Sequence, residues 1–118
     1  MLKVYCYSKC TTCTKAVKWL DEHSIEYDLL DIKTDHPDEE TLRKYHAMSG
    51  LPLKRFFNTN GQIYRDMELS KKLSTMSEDE QFALLSTDGM IVKRPLLVGD
   101  DFVFTGFKEA EWEEKLLK

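Results

Sequence analysis

The sequence is poor in the features that would mark a disulfide scaffold, an export signal or a membrane segment. Its three cysteines are an odd and sparse set, so a reducing compartment and a cytoplasmic location are expected rather than a secreted, cross-linked fold. No window approaches the ~20 apolar residues of a membrane span. Met1-Leu2-Lys3-Val4-Tyr5 is not a charged leader running into a long apolar stretch, so no targeting segment is expected. Positive charge is in deficit, 17 Lys and Arg against 21 Asp and Glu, which argues against direct nucleic-acid binding. Low-complexity stretches, internal repeats and interdomain linkers are missing too. What remains is 118 residues with 42% hydrophobic content. That is enough to bury a core in one domain without metal or disulfide staples.

The organising stretch is Tyr7-Ser8-Lys9-Cys10-Thr11-Thr12-Cys13-Thr14-Lys15-Ala16. Before it, Leu2, Val4 and Cys6 alternate with Lys3, Tyr5 and Tyr7, the period-2 pattern of a strand over residues 2–7. Cys6 then reads as a buried small hydrophobe within that strand. After it, Cys13, Ala16, Val17 and Leu20 recur at helical spacing, with Trp19 widening the stripe. A helix over about 12–23 is predicted, with Thr11 or Thr12 as N-cap. Residues 26–32 read as a second strand, so the first three elements form a βαβ unit with parallel strands.

Residues from about 38 to 87 read as a helical insertion. Pro37-Asp38-Glu39-Glu40 suits a helix start and Gly50 a helix end. Pro52 opens a short helix, Asn60-Gly61 is a turn, and Ile63-Tyr64 is expected to be extended or irregular. Leu69, Leu73 and Met76 suggest another short helix, and Ser77 to Glu80 has the form of a capping box. The chain closes with a strand at Leu96–Val98, a turn at Gly99-Asp100-Asp101, a returning strand at 102–105 and a helix over 108–118. The expected fold is therefore α/β: a mixed four-stranded sheet with an inserted helical subdomain.

A Cys-x-x-Cys between a strand and a helix suits thiol–disulfide chemistry. The free N–H groups and dipole at the helix start favour a thiolate on the first cysteine. Lys9 and Lys15 add positive charge, and no acid lies between Tyr7 and Trp19. Cys13 can then attack a mixed disulfide on Cys10 and close an intramolecular bond. Two other readings stand beside this one. A zinc site would need two further ligands, which His23, His36 and His46 do not offer as a spaced pair. Two purely structural thiols at a helix start are the other alternative. No bound cofactor and no metal are expected. Arg94-Pro95 is the second informative pair: arginine holds oxyanions in a fork, although a surface arginine before a strand-edge proline reads the same way.

These residues, with Lys93-Arg94-Pro95-Leu96-Leu97 and Gly106-Phe107-Lys108-Glu109, resemble the glutaredoxin-like arsenate reductase and Spx family over essentially the whole chain. Gly50-Leu51-Pro52-Leu53-Lys54-Arg55-Phe56-Phe57-Asn58 is similar to its uncharacterised bacterial arsenate-reductase-like branch. The resemblance implies a thioredoxin-like fold, Cys10 as nucleophile, and a cis Pro95 facing the cysteine with Arg94 beside it. Substrate contacts then fall to Arg94, Pro95, Thr11 and Thr12. By fold analogy the electron donor is glutathione or thioredoxin, and the partner is a thiol donor or small oxidised substrate. The Spx branch implies an alternative, a redox-sensing regulator that binds the RNA polymerase α-subunit. A monomer is expected.

The chain departs from the arsenate reductases at two of three oxyanion-binding arginines. Arg94 matches one. Asn58 stands at the second, with Arg55 nearby, and the third is missing from Thr105-Gly106-Phe107-Lys108, where Lys108 is a partial substitute. A charge-assisted bond to an anion contributes on the order of 1.5–3 kcal/mol. One arginine in place of three therefore predicts weak arsenate binding and inefficient arsenate reduction.

Overall fold

The alternation in the first strand decides what lies on each side of the sheet. In the computed structural model, which describes residues 2–117, β1 (Leu2–Cys6) sends Val4 and Cys6 to one face and Tyr5 to the other. It pairs in parallel with β2 (Tyr27–Asp31), from Leu2 opposite Tyr27 to Cys6 opposite Asp31. On its other side it pairs antiparallel with β3 (Leu96–Val98), which forms a hairpin with β4 (Val103–Thr105). The sheet order is β2-β1-β3-β4, the mixed four-stranded sheet that the sequence predicts.

On the Val4 face, α1 (Thr11–Glu22) and α6 (Glu109–Leu116) pack Ala16, Trp19, Leu20 and Trp112 against Val4, Cys6 and Leu97. Trp112 is fully buried and meets Trp19 edge-on at 6.1 Å. Ala110 of the same helix and Leu117 just after it are exposed. The indole alone is large enough to cover the sheet there, so the helix turns Trp112 inward.

On the Tyr5 face lie the residues between β2 and β3. α2 (Glu39–Ser49) begins where the Asp38 carboxylate accepts from the Thr41 N–H at 2.8 Å, which lowers the Asp38 pKa. It ends at Gly50, whose φ of 67° is left-handed. A 3-10 turn spans Leu53–Phe56. α3 (Gln62–Asp66) follows, then α4 (Leu69–Lys72), a 3-10 turn and α5 (Glu78–Leu85). The capping box is formed: the Glu80 N–H donates to Ser77 Oγ and the Ser77 N–H to Glu80 Oε1. Ile63 and Tyr64, expected to be extended or irregular, are helical. Gly61 starts the turn and Tyr64 is buried, with its ring 6.5 Å from that of Phe57. Tertiary burial overrides the weak local pattern of a five-residue helix. The layer is tied to the sheet by the bond shared between the Tyr5 and Tyr45 hydroxyls at 2.9 Å. Among the described residues, no helix is long and apolar enough to cross a membrane.

One close approach fixes the return of the chain toward β3. A Cβ on Gly89 would overlap the backbone carbonyl of Ile32, the residue just after β2. Gly89→Ala should therefore destabilise the protein by about 1–3 kcal/mol, the usual cost of overpacking. Chemical denaturation measures this; a change indistinguishable from zero would contradict the packing.

Candidate active site

The first helix begins at the first cysteine of the motif. Cys10 is the N-cap, extended at φ −93° and ψ 117°, and its carbonyl accepts from the Thr14 N–H at 3.1 Å. The Cys10 N–H donates back to the Tyr7 carbonyl at 2.9 Å. The cap expected at Thr11 or Thr12 thus lies at Cys10, because the Thr14 bond starts the helix one residue sooner. Thr11 and Thr12 occupy the first turn, where backbone N–H groups have no intrahelical partner. No acid lies in that turn.

The two thiols of the motif face different ways. Cys10 is partly exposed and lines a cleft of about 400 Å³ with Tyr7, Lys9, Thr11, Thr12, Asn58 and Arg94. Lys93 and Gln62 complete its wall, and no acid lines it. Cys13 is buried at 2% exposure. It lines a second, apolar cavity of about 400 Å³ between α1 and β2, together with Cys6, Val17, Leu29 and Leu30. Cys6 is thus not an isolated core thiol. The Cys13 pKa is pushed far above the ordinary thiol range, first by its hydrogen bond to Cys6 and then by burial. The Tyr7 backbone and the Cys10 side chain pull the other way.

Arg94 reaches the cleft from the segment before β3. Its Nη1 donates to the carbonyls of Met90 and Val92, both at 3.3 Å, and its guanidinium lies 5.4 Å from the Tyr7 ring centre. With the Asn58 amide oxygen turned toward it, that oxygen accepts from Nη1 at 3.3 Å and from Nη2 at 3.2 Å. Asn58 therefore holds the one matching arginine. Gly61 permits this, since a Cβ there would come within 2.7 Å of the Asn58 amide. The Arg94–Pro95 peptide is cis, as the resemblance implies. Pro95 itself is buried, its carbonyl accepts from the Gly106 N–H at 2.9 Å, and it does not line the cleft.

The structure thus brings Cys10, Thr11, Thr12 and Arg94 to one cleft, sets Cys13 behind it and leaves Pro95 buried away from it. Tyr7, Asn58, Lys93 and the pairing of Cys6 with Cys13 were not legible as site features. Only the period-2 pattern, which puts Cys6 on the face that α1 covers, could have signalled the last. Arg55, Lys93 and Lys108 line an adjoining groove that shares Thr12 and Lys93 with the cleft. Positive charge is therefore spread along two grooves rather than gathered in a three-arginine clamp.

A mixed sheet flanked by helices, with a Cys-x-x-Cys at the start of its first helix and a cis proline before β3, defines a thioredoxin-like protein. Within that class the chain belongs to the ArsC family, whose model matches residues 5–115. It is 50% identical over 113 residues to the uncharacterized protein YusI of Bacillus subtilis, with 96% of each chain covered. A solved ArsC family related protein from Bacteroides fragilis superposes with a TM-score of 0.94 at 50% identity, covering 96% of this chain and 95% of that one. The regulatory protein MgsR of Bacillus subtilis is 26% identical over 110 residues, 93% of this chain and 86% of its own.

The Cys13 proton makes a pH prediction. The folded chain keeps that proton where an unfolded thiol, near ~8.5, has released it. The stability involved is complete below that value and is lost as pH rises above it, at no more than about 1.4 kcal/mol per pH unit. Reduced wild-type protein should lose stability more steeply than Cys13→Ala between about pH 8.5 and 9.5. Equal slopes in denaturant titrations would contradict the thiol pairing.

Proposed function

We propose that the protein is a thiol–disulfide oxidoreductase with Cys10 as nucleophile, Cys13 as resolving thiol and Arg94 as the anchor for an anionic substrate or leaving group. The observation that carries this reading is the placement of Cys10 on a cationic, acid-free cleft with Cys13 buried directly behind it in the same helical turn. The Cys10 thiolate attacks one sulfur of a substrate disulfide and releases the other half as a thiolate. Cys13 then attacks the Cys10 sulfur, giving up its proton, and releases the second half. Two electrons have passed to the substrate, and the Cys10–Cys13 disulfide is returned to dithiol by an external donor, glutathione or thioredoxin.

The helix start favours negative charge on Cys10, while burial keeps Cys13 protonated until a mixed disulfide is within reach. Arsenate is a poor fit. The site offers one guanidinium, already shared with Asn58 and two carbonyls, where a compact, charged oxyanion calls for several donors.

Cys10→Ser should abolish turnover of a small anionic disulfide, and Cys13→Ser should accumulate a mixed disulfide at Cys10, visible by intact mass. Arg94→Ala should lower kcat/KM by about 10- to 100-fold, the loss of one charge-assisted bond. Full activity in Cys10→Ser would end this reading.

A second reading, a redox-sensing regulator binding the RNA polymerase α-subunit, draws on the similarity to MgsR and on the same thiol pair. It predicts capture of that subunit by the oxidised or the reduced protein, and capture by neither form would remove it.

A further inference from the structure

Cys13 has a thiol neighbour on each side. Cys10 stands toward the cleft, and Cys6 stands at the last position of β1, 8% exposed. Cys6 and Cys13 belong to one apolar cluster with Ala16, Trp19 and Leu20, and Cys10 packs against its edge. Both also line the apolar cavity between α1 and β2, whereas Cys10 lines the cleft. The motif thus accounts for two thiols of a set of three, and the third lies on the side of Cys13 away from the substrate. Membership of one cluster and of one cavity wall sets the Cys6 and Cys13 side chains next to one another in the reduced protein.

We propose that Cys6 is a third redox thiol, which attacks Cys13 in the Cys10–Cys13 disulfide and moves the bond inward to Cys6–Cys13. The Cys6–Cys13 bond forms and the Cys10–Cys13 bond breaks. Cys6 is oxidised, Cys10 is reduced, and the proton lost by Cys6 passes to Cys10 or to water. No external oxidant enters this step, since the oxidising equivalent comes from the disulfide substrate of the reading above, on which this inference rests. Cys10 is a suitable leaving group because the helix start and the surrounding cations accommodate its negative charge. The exchange carries the oxidising equivalent from the cationic cleft to the thiol pair on the apolar cavity. It also leaves Cys10 free to engage a second substrate.

The sequence supplies a direct readout. Trypsin cleaves after Lys9, so Cys6 falls in the peptide 4–9 while Cys10 and Cys13 share the peptide 10–15. Full-length wild-type protein is oxidised with one equivalent of diamide, acid-quenched, alkylated, digested without reduction and sequenced by mass spectrometry. The expected result is that at least about one tenth of the oxidised molecules link the two peptides through Cys6 and Cys13, with the alkyl group on Cys10. Cys10→Ser should lose this link, because the exchange starts from Cys10–Cys13, and Cys6→Ala should lose it while keeping Cys10–Cys13. If the wild type holds only Cys10–Cys13, this inference falls and the oxidoreductase reading stands. If no disulfide of either kind forms, both fall.

Discussion

The bond from the Thr14 N–H to the Cys10 carbonyl fixes where α1 begins, and the chemistry of the site follows from that position. As N-cap, Cys10 stands at the positive end of the helix dipole, where the first turn leaves its N–H groups open. Three residues on, Cys13 is carried by the same turn onto the sheet and covered by β1. A helix starting one residue later, at the threonine cap that local preference suggests, would put both thiols in different surroundings. The asymmetry between an accessible thiol and a covered one is thus a matter of helix phase.

That phase is held by packing on both sides of the sheet. Ala16, Trp19 and Leu20 key α1 onto Val4 and Leu97, with Trp112 closing the layer. The opposite face is filled by the segment between the second and third strands, which also delivers Asn58 to Arg94. This segment does more than cap the sheet. Through the Asn58 amide it holds Arg94, the one arginine that lines the cleft among the described residues, and so orients a single guanidinium.

Much of the fold was legible in the sequence because its signals are local and strong. Alternation marked β1, the stripe from Cys13 to Leu20 marked α1, and Ser77 with Glu80 marked the start of α5. The Cys10, Cys13 and Arg94 set was legible from motif spacing and from the resemblance. The rest depended on contacts distant in sequence. Tyr64 is helical because it packs beside Phe57, and Trp112 rather than Ala110 turns inward because the sheet needs a large side chain there. Asn58 reads as a departure from the family until Arg94 is seen against it. Cys6 reads as an ordinary core residue until α1 lays Cys13 beside it.

The central claim is that the three thiols differ in role because they differ in surroundings. Brief alkylation of the fully reduced protein with iodoacetamide at neutral pH, followed by peptide mapping, tests it most directly. Cys10 alone should take the label, with Cys13 and Cys6 unmodified until the protein is unfolded. Labelling of Cys13 or Cys6 as fast as Cys10 in the folded protein would contradict it.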